Sequence, residues 1–344
     1  MITPLPSTGA SLLSPLSFAG LTLRNRIVMP PMFSGFATAR GEVTDRIVEY
    51  HRLRAAAGTA LVIVEHTYVH PWGRISDTQM GVHDDAMIPG LARLATAIRR
   101  EGAVSCLQLA HAGASTSAAV IGRAPVGPSS LRHPFEPDVD PASAATIVEI
   151  EQIVSAFGEA AARAREAGFD AVEIHSAHGY LLSQFLSPLT NRREDQYGGS
   201  DGNRSRLHLD VLAEVRARVG RDFPVFLRLG VHDEALGGLQ LNEAVRAAAR
   251  LVDRGVDLVD VSGGLQGSRP PVVVARGPGW FVPYAEAVKA AVRVPVLVTG
   301  GFTDPLHADR IVREGRADLI GVGRAMLNDP GWARAAIERL RASV

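Results

Sequence analysis

Eight times between residues 26 and 323, a short run of β-branched or aliphatic residues is followed by a longer stretch whose apolar positions recur three and four apart. The runs are RIVMP at 26–30, ALVIVE at 60–65, AVSCLQL at 103–109, DAVEIH at 170–175, PVFLRLG at 224–230, VDLVDVSG at 256–263, VPVLVTGG at 294–301 and ADLIGVG at 317–323. Runs of this length without alternation suit strands buried on both faces. The intervening patterns, such as Ile88, Leu91, Leu94 and Ile98 or Ile150, Ile153, Val154 and Phe157, gather one apolar face as crossover helices do. Three helices feed the next strand through a shared phrase, EAGFDAVEI, DRGVDLVDV and REGRADLIGV. There Gly168, Gly255 and Gly315 stand where a helix end needs a left-handed residue. Eight strand–helix units close into a (β/α)8 TIM barrel, whereas an open doubly wound sheet carries fewer strands and, for a dinucleotide, a GxGxxG turn after its first. No such turn follows Pro30. The expectation is one barrel domain over residues 1–344, with residues 1–13 as an N-terminal extension.

The hydrophobic fraction is 46% with only 6% aromatic residues, so the core is expected to be aliphatic. Lysine plus arginine number 36 and aspartate plus glutamate 36, a balance that offers no basic field for nucleic acid or an anionic membrane. The single cysteine, Cys106, excludes an internal disulfide and a multi-thiolate cluster within this chain. The opening residues lack a signal-peptide pattern and no stretch reaches the ~18 apolar residues that span a bilayer, so a cytoplasmic protein is expected.

Two segments exceed simple βα loops: 112–141, rich in Gly, Pro and Ser, which reads as a capping excursion, and 181–203, which reads as an active-site loop. In a barrel the chemistry sits at the carboxyl ends of the strands. Those ends carry Glu65 and His66, Gln108 and His111, His175, His178 and Tyr180, and Arg228. The glycines Gly300, Gly301 and Gly323, with Arg324, form a phosphate-binding pattern after strands seven and eight, or simple turns. A buried Arg228 needs an anionic or carbonyl-rich ligand, or an ion pair with a strand acid such as Glu173. The Gln108 amide suits the imide edge of a heterocycle. Neutral His175 and His178 can donate to an oxygen that gains charge, and Tyr180 can hold a proton to give away. Core histidines are the plainer alternative. A metal would need a third ligand and is not expected, because the HxH that metal-dependent barrel hydrolases carry after strand one is missing.

These residues lie in LTLRNRIVMPPM, GRISDTQMGVHDD, LQLAHAG, AGFDAVEIHSAHGYLLSQFLSPLTNRREDQYGGSDGNRSR and GRADLIGVGRAMLNDP. Together, from about Leu16 to Ala335, they resemble the old yellow enzyme family of flavin-dependent ene reductases, in its shorter-looped bacterial branch. The resemblance implies a noncovalent FMN, NADH or NADPH as reductant, and an α,β-unsaturated carbonyl substrate. It implies that Pro31, Met32 and His66 touch the flavin and that Gln108 lies at its pyrimidine edge. Arg228 would stand by N1 and O2, and Gly300, Gly301, Gly323 and Arg324 would hold the phosphate. His175 and His178 would bind the substrate carbonyl while Tyr180 protonates the α-carbon. A homodimer or homotetramer is the common assembly among relatives.

Departures from the family pattern fall at Phe33, where a cysteine is usual, at Gly35 in place of a tyrosine, at His66 in place of a small residue, and at Ala114 where an arginine is common. Phe33 and His66 are therefore expected to shape the substrate pocket. A flavin-dependent desaturase or a redox-neutral enone isomerase would use the same scaffold. A barrel aldolase or lyase would need a Schiff-base lysine or metal set, yet the only lysine, Lys289, lies in a helical pattern. A noncatalytic flavin-binding protein would leave the His175, His178 and Tyr180 set idle.

Overall fold

A computed structural model describes residues 9–343. Eight parallel strands close into a barrel: β1 Ile27–Met29, β2 Leu61–Tyr68, β3 Val104–Ala110, β4 Ala171–Ser176, β5 Val225–Gly230, β6 Leu258–Ser262, β7 Val296–Thr299 and β8 Leu319–Gly321. Each pairs with its sequence neighbours, and β8 closes on β1 with Ile320 opposite Ile27. All eight runs read from the sequence are strands, most of them a residue or two shorter at one or both ends. The outer layer holds α1 Asp45–Ala56, α2 Ile88–Arg100, α3 Ile147–Glu166, α4 Arg206–Val219, α5 Leu241–Val252, α6 Val282–Lys289, α7 Pro305–Arg313 and α8 Trp332–Arg341. Their apolar stripes face the strands, as with Leu91, Leu94 and Ile98 of α2 and Ile150, Ile153 and Phe157 of α3. None of the described helices is long and apolar enough to cross a membrane.

The repeated helix–strand phrase has a physical role at the amino-terminal face. Gly168, Gly255 and Gly315 take φ of 83°, 110° and 70°, which turn the chain out of α3, α5 and α7. The acid that follows then accepts an amide from the preceding strand: Asp170 from Ser105, Asp257 from Val225 and Asp318 from Val296, each at 2.9 Å.

A short hairpin, Leu16–Phe18 with Leu21–Leu23, plugs this face. Ala19 and Gly20 at its tip have φ of 46° and 76°, as a tight two-residue turn requires. Phe18 enters to 5.9 Å from Phe226 and joins a bottom layer of Leu61, Cys106, Leu258, Leu297 and Leu319. Of the expected extension 1–13, residues 1–8 lie outside the described residues; Leu12 is buried, and its amide donates to Asp309 at 2.7 Å.

At the opposite face, Gln184 ties the two long segments together. Its Oε1 accepts from Ala114 N at 3.0 Å and its Nε2 donates to Ala112 O at 3.1 Å. Arg193 adds bonds to the carbonyls of Pro128 and Ala145 at 3.0 and 2.7 Å. Excursion and loop thus form one fixed rim around the barrel mouth.

Candidate active site

The carboxyl ends of the strands enclose a cavity of about 510 Å³, within the ~300–1,000 Å³ usual for small-molecule sites. Its wall includes Pro31, Met32 and Phe33 after β1, His66 of β2, His175 of β4 with His178 and Tyr180 beyond it, and Arg228 of β5. Gly300 and Gly301 after β7 and Gly323 and Arg324 after β8 complete its far end. Of the strand-end residues singled out in the sequence, Glu65, Gln108 and His111 stand back from this wall; Gln108 Nε2 donates to Glu173 Oε1 at 2.8 Å inside the barrel.

The loop carrying Pro31 to Phe33 is held by Glu65. Both the amide and the hydroxyl of Ser34 donate to this carboxyl, the hydroxyl at 2.9 Å. Burial pushes Glu65 up to about 7.

Two successive left-handed residues, His178 with φ 60° and Gly179 with φ 77°, bring His175, His178 and Tyr180 onto one wall. A histidine in that region is costly, and such strain persists only where surroundings enforce it. Here the His178 amide donates to Gly263 O at 3.1 Å and its Nε2 meets Ser262 Oγ at 2.7 Å. The His175 and His178 rings lie 5.1 Å apart at 81°, with the Tyr180 ring 4.9 Å from His175. Burial, with the Arg228 charge adding to it, holds both imidazoles well below their ordinary value, so both rings stay neutral. Burial raises the Tyr180 phenol, and Glu136 adds to the effect, so Tyr180 keeps its proton.

The sequence left two readings for Arg228, and the geometry accommodates both. It lines the cavity while its Nε sits 3.4 Å from Asp260 Oδ2; the acid beside it is Asp260, since Glu173 is engaged by Gln108. Asp260 stands directly opposite Arg228 in the β5–β6 register. Burial raises both carboxyls, and the Asp260 charge raises Glu173 further.

The residues fit a flavin mononucleotide on their own chemistry. His175 Nδ1, Thr299 Oγ1 and Trp280 Nε1, all of cavity-lining residues, are buried without a hydrogen-bond partner among the described residues, a cost that a polar ligand would relieve. The glycines leave a cradle too tight for side chains: a Cβ at Gly301 would come 2.2 Å from Trp280 Cζ3, and one at Gly323 would come 2.8 Å from Met32 Sδ. Arg324 lies over the Trp280 ring at 5.5 Å, beside that cradle. Sequence reading missed Trp280, because it lies between β6 and β7 rather than at a strand end.

Comparison with known proteins agrees with this geometry. The NADH:flavin oxidoreductase / NADH oxidase family model matches residues 11–342. An NADPH dehydrogenase of Bacillus licheniformis is 40% identical over 334 residues, covering 97% of this chain and 96% of that protein. An NADH oxidase of Thermoanaerobacter brockii is 39% identical over 322 residues, 92% of this chain but 49% of that protein, so the chain spans about half its length. Among solved structures, an old yellow enzyme homologue from Zymomonas mobilis superposes with a TM-score of 0.82 at 29% identity, covering 96% of this chain and 93% of that one.

Proposed function

Because the chain belongs to the NADH:flavin oxidoreductase / NADH oxidase family, which works with FMN and NAD(P)H, we propose that its reaction is reduction of the C=C bond of α,β-unsaturated carbonyl compounds. The observation that carries this reading is the wall of two neutral imidazoles and one protonated phenol on a single cavity.

Bound in this cavity, FMN would supply the hydride chemistry. Gly300, Gly301, Gly323 and Arg324 would hold its phosphate, and Pro31, Met32, His66 and Arg228 would meet the ring. Its pyrimidine edge would fall to Arg228, with Gln108 set behind it by its bond to Glu173. His175 and His178 donate to the substrate carbonyl oxygen, which draws electron density from the β-carbon and stabilises the charge that grows on oxygen. Being neutral, they stabilise that charge as hydrogen-bond donors and leave proton delivery to Tyr180. Tyr180 delivers a proton to the α-carbon.

Stopped-flow mixing tests the reading in two half-reactions. Anaerobic NAD(P)H should bleach the bound FMN, and 2-cyclohexenone should restore its absorbance. His175→Ala or His178→Ala should slow the second step by roughly 10²-fold or more, the scale of losing one oxyanion donor. Failure of every enone to reoxidise the wild-type protein would overturn the proposal.

A further inference from the structure

His66 is a histidine whose protonated nitrogen can be deduced from its neighbours. Ile75 N donates to Gln79 Oε1 at 2.7 Å, which fixes which end of the buried Gln79 amide is oxygen. Its Nε2 therefore carries the donors, one directed to His66 O at 3.1 Å and the other to His66 Nδ1 at 2.7 Å. Nδ1 is thus an acceptor, and the single proton of the neutral ring sits on Nε2. Burial drives His66 down to about 4, so the ring stays neutral at ordinary pH. Phe33 stacks on it at 5.1 Å and 21°, while Tyr180 meets its edge at 5.5 Å and 82°. The ring is clamped on three sides on the cavity wall, and among the described residues no protein group accepts from its Nε2.

We infer that His66 is a specificity-determining residue that selects substrates with a second neutral carbonyl oxygen conjugated across the alkene, the ene-dione class. This deepens the reaction proposed above and rests on it. His175 and His178 take the first oxygen, and the His66 ring centroid lies 6.5 Å from that of His175, close enough for one small ligand to reach both rings. A fixed N–H donor in a partly dry site penalises a ligand that leaves it unpaired, so monocarbonyl enones are disfavoured. A neutral imidazole brings no charge, so an ester or ketone fits it better than a carboxylate. The net change is that of the proposed reaction: the C=C π bond breaks and two C–H bonds form. One bond takes the hydride that NAD(P)H gives up and the other a proton from Tyr180.

The test uses FMN-loaded protein and two saturated ligands that cannot turn over, cyclohexane-1,4-dione and cyclohexanone, titrated by calorimetry. The wild type should bind the dione roughly 5–10-fold more tightly, the worth of one neutral hydrogen bond added to the factor of about two from its equivalent ends. His66→Phe keeps the stack on Phe33 but has no donor, and should reduce the ratio to the statistical value. Gln79→Met leaves His66 in place and frees its proton to move to Nδ1, so it should give an intermediate ratio even if His66→Phe proves unstable. A wild-type ratio of about two, or a ratio that survives His66→Phe, overturns the inference. So does an unchanged ratio combined with a shifted FMN midpoint potential, which would assign the donor to the flavin. Loss of enone reoxidation in the wild type would instead fault the underlying reaction, and the ligand titration reads binding independently of turnover.

Discussion

Burial raises the Tyr180 phenol above its ordinary value of 10.0, and that single perturbation separates the two halves of the proposed reaction. A proton held this firmly leaves only when an adjacent carbon becomes basic, after charge has moved onto the carbonyl held by His175 and His178. Tyr180→Phe should leave NAD(P)H reduction of the flavin nearly intact and slow enone turnover by roughly 10²-fold, within the range of general-acid catalysis; unchanged turnover in rapid-mixing experiments would point to another proton donor. Gly301 supports a different prediction. Its φ of 75° and the 2.2 Å approach of a built Cβ to Trp280 mean that Gly301→Ala must displace the indole from the glycine cradle proposed to hold the phosphate. FMN affinity should fall toward that for riboflavin, measured by equilibrium dialysis, while equal FMN and riboflavin affinities in the wild type would defeat the cradle assignment. Strand-end position made most of these residues legible, because polar groups at the carboxyl ends of apolar runs have few structural reasons to be there. Gln108 was legible as a strand-end amide, but its bond to Glu173 was not, since that pairing depends on the β3–β4 register.

At the scale of elements, the acids that start β4, β6 and β8 close the amino-terminal face by accepting amides across strand neighbours. Asp257 does this for Val225 N and also meets Arg216 Nη2 at 2.6 Å. Asp257→Ala removes both and leaves a buried amide unpaired, at a cost of about 1–3 kcal/mol. The urea midpoint should drop accordingly, with the FMN spectrum unchanged because the catalytic face lies at the other end of the barrel; a midpoint equal to the wild type would show that water replaces the acid. The eight barrel strands were readable because strands buried on both faces leave uninterrupted aliphatic runs. The plugging hairpin was not, since Ser17 and Thr22 interrupt its two short strands and its evidence is tertiary, in the contact of Phe18 with Phe226.

Across the whole molecule, buried histidines set how stability should respond to pH. His51 and His66 are held down to about 4, and His111 and His208 to about 3, each chiefly by burial. His51 shows why: its Nδ1 donates to Ile47 O at 3.0 Å, and a second proton on Nε2 would face no acceptor among the described residues. A histidine with a depressed folded pKa takes up a proton on unfolding, so its contribution is complete above about pH 6.5 and is lost as pH falls toward 4. Each adds a slope of at most ~1.4 kcal/mol per pH unit in that window. Glu65, raised to about 7, acts in the opposite sense, gaining relative stability as pH falls toward its unfolded value near 4.5, as do the raised carboxyls of Glu173 and Asp260. They are outnumbered by those four histidines together with His175 and His178. The urea midpoint should therefore decline from pH 7.5 to pH 5, and His51→Leu, at a residue that does not line the cavity, should flatten that decline by up to one proton's worth. A midpoint that holds steady or rises over this range would mean that the buried carboxyls, not the histidines, dominate the proton balance of folding.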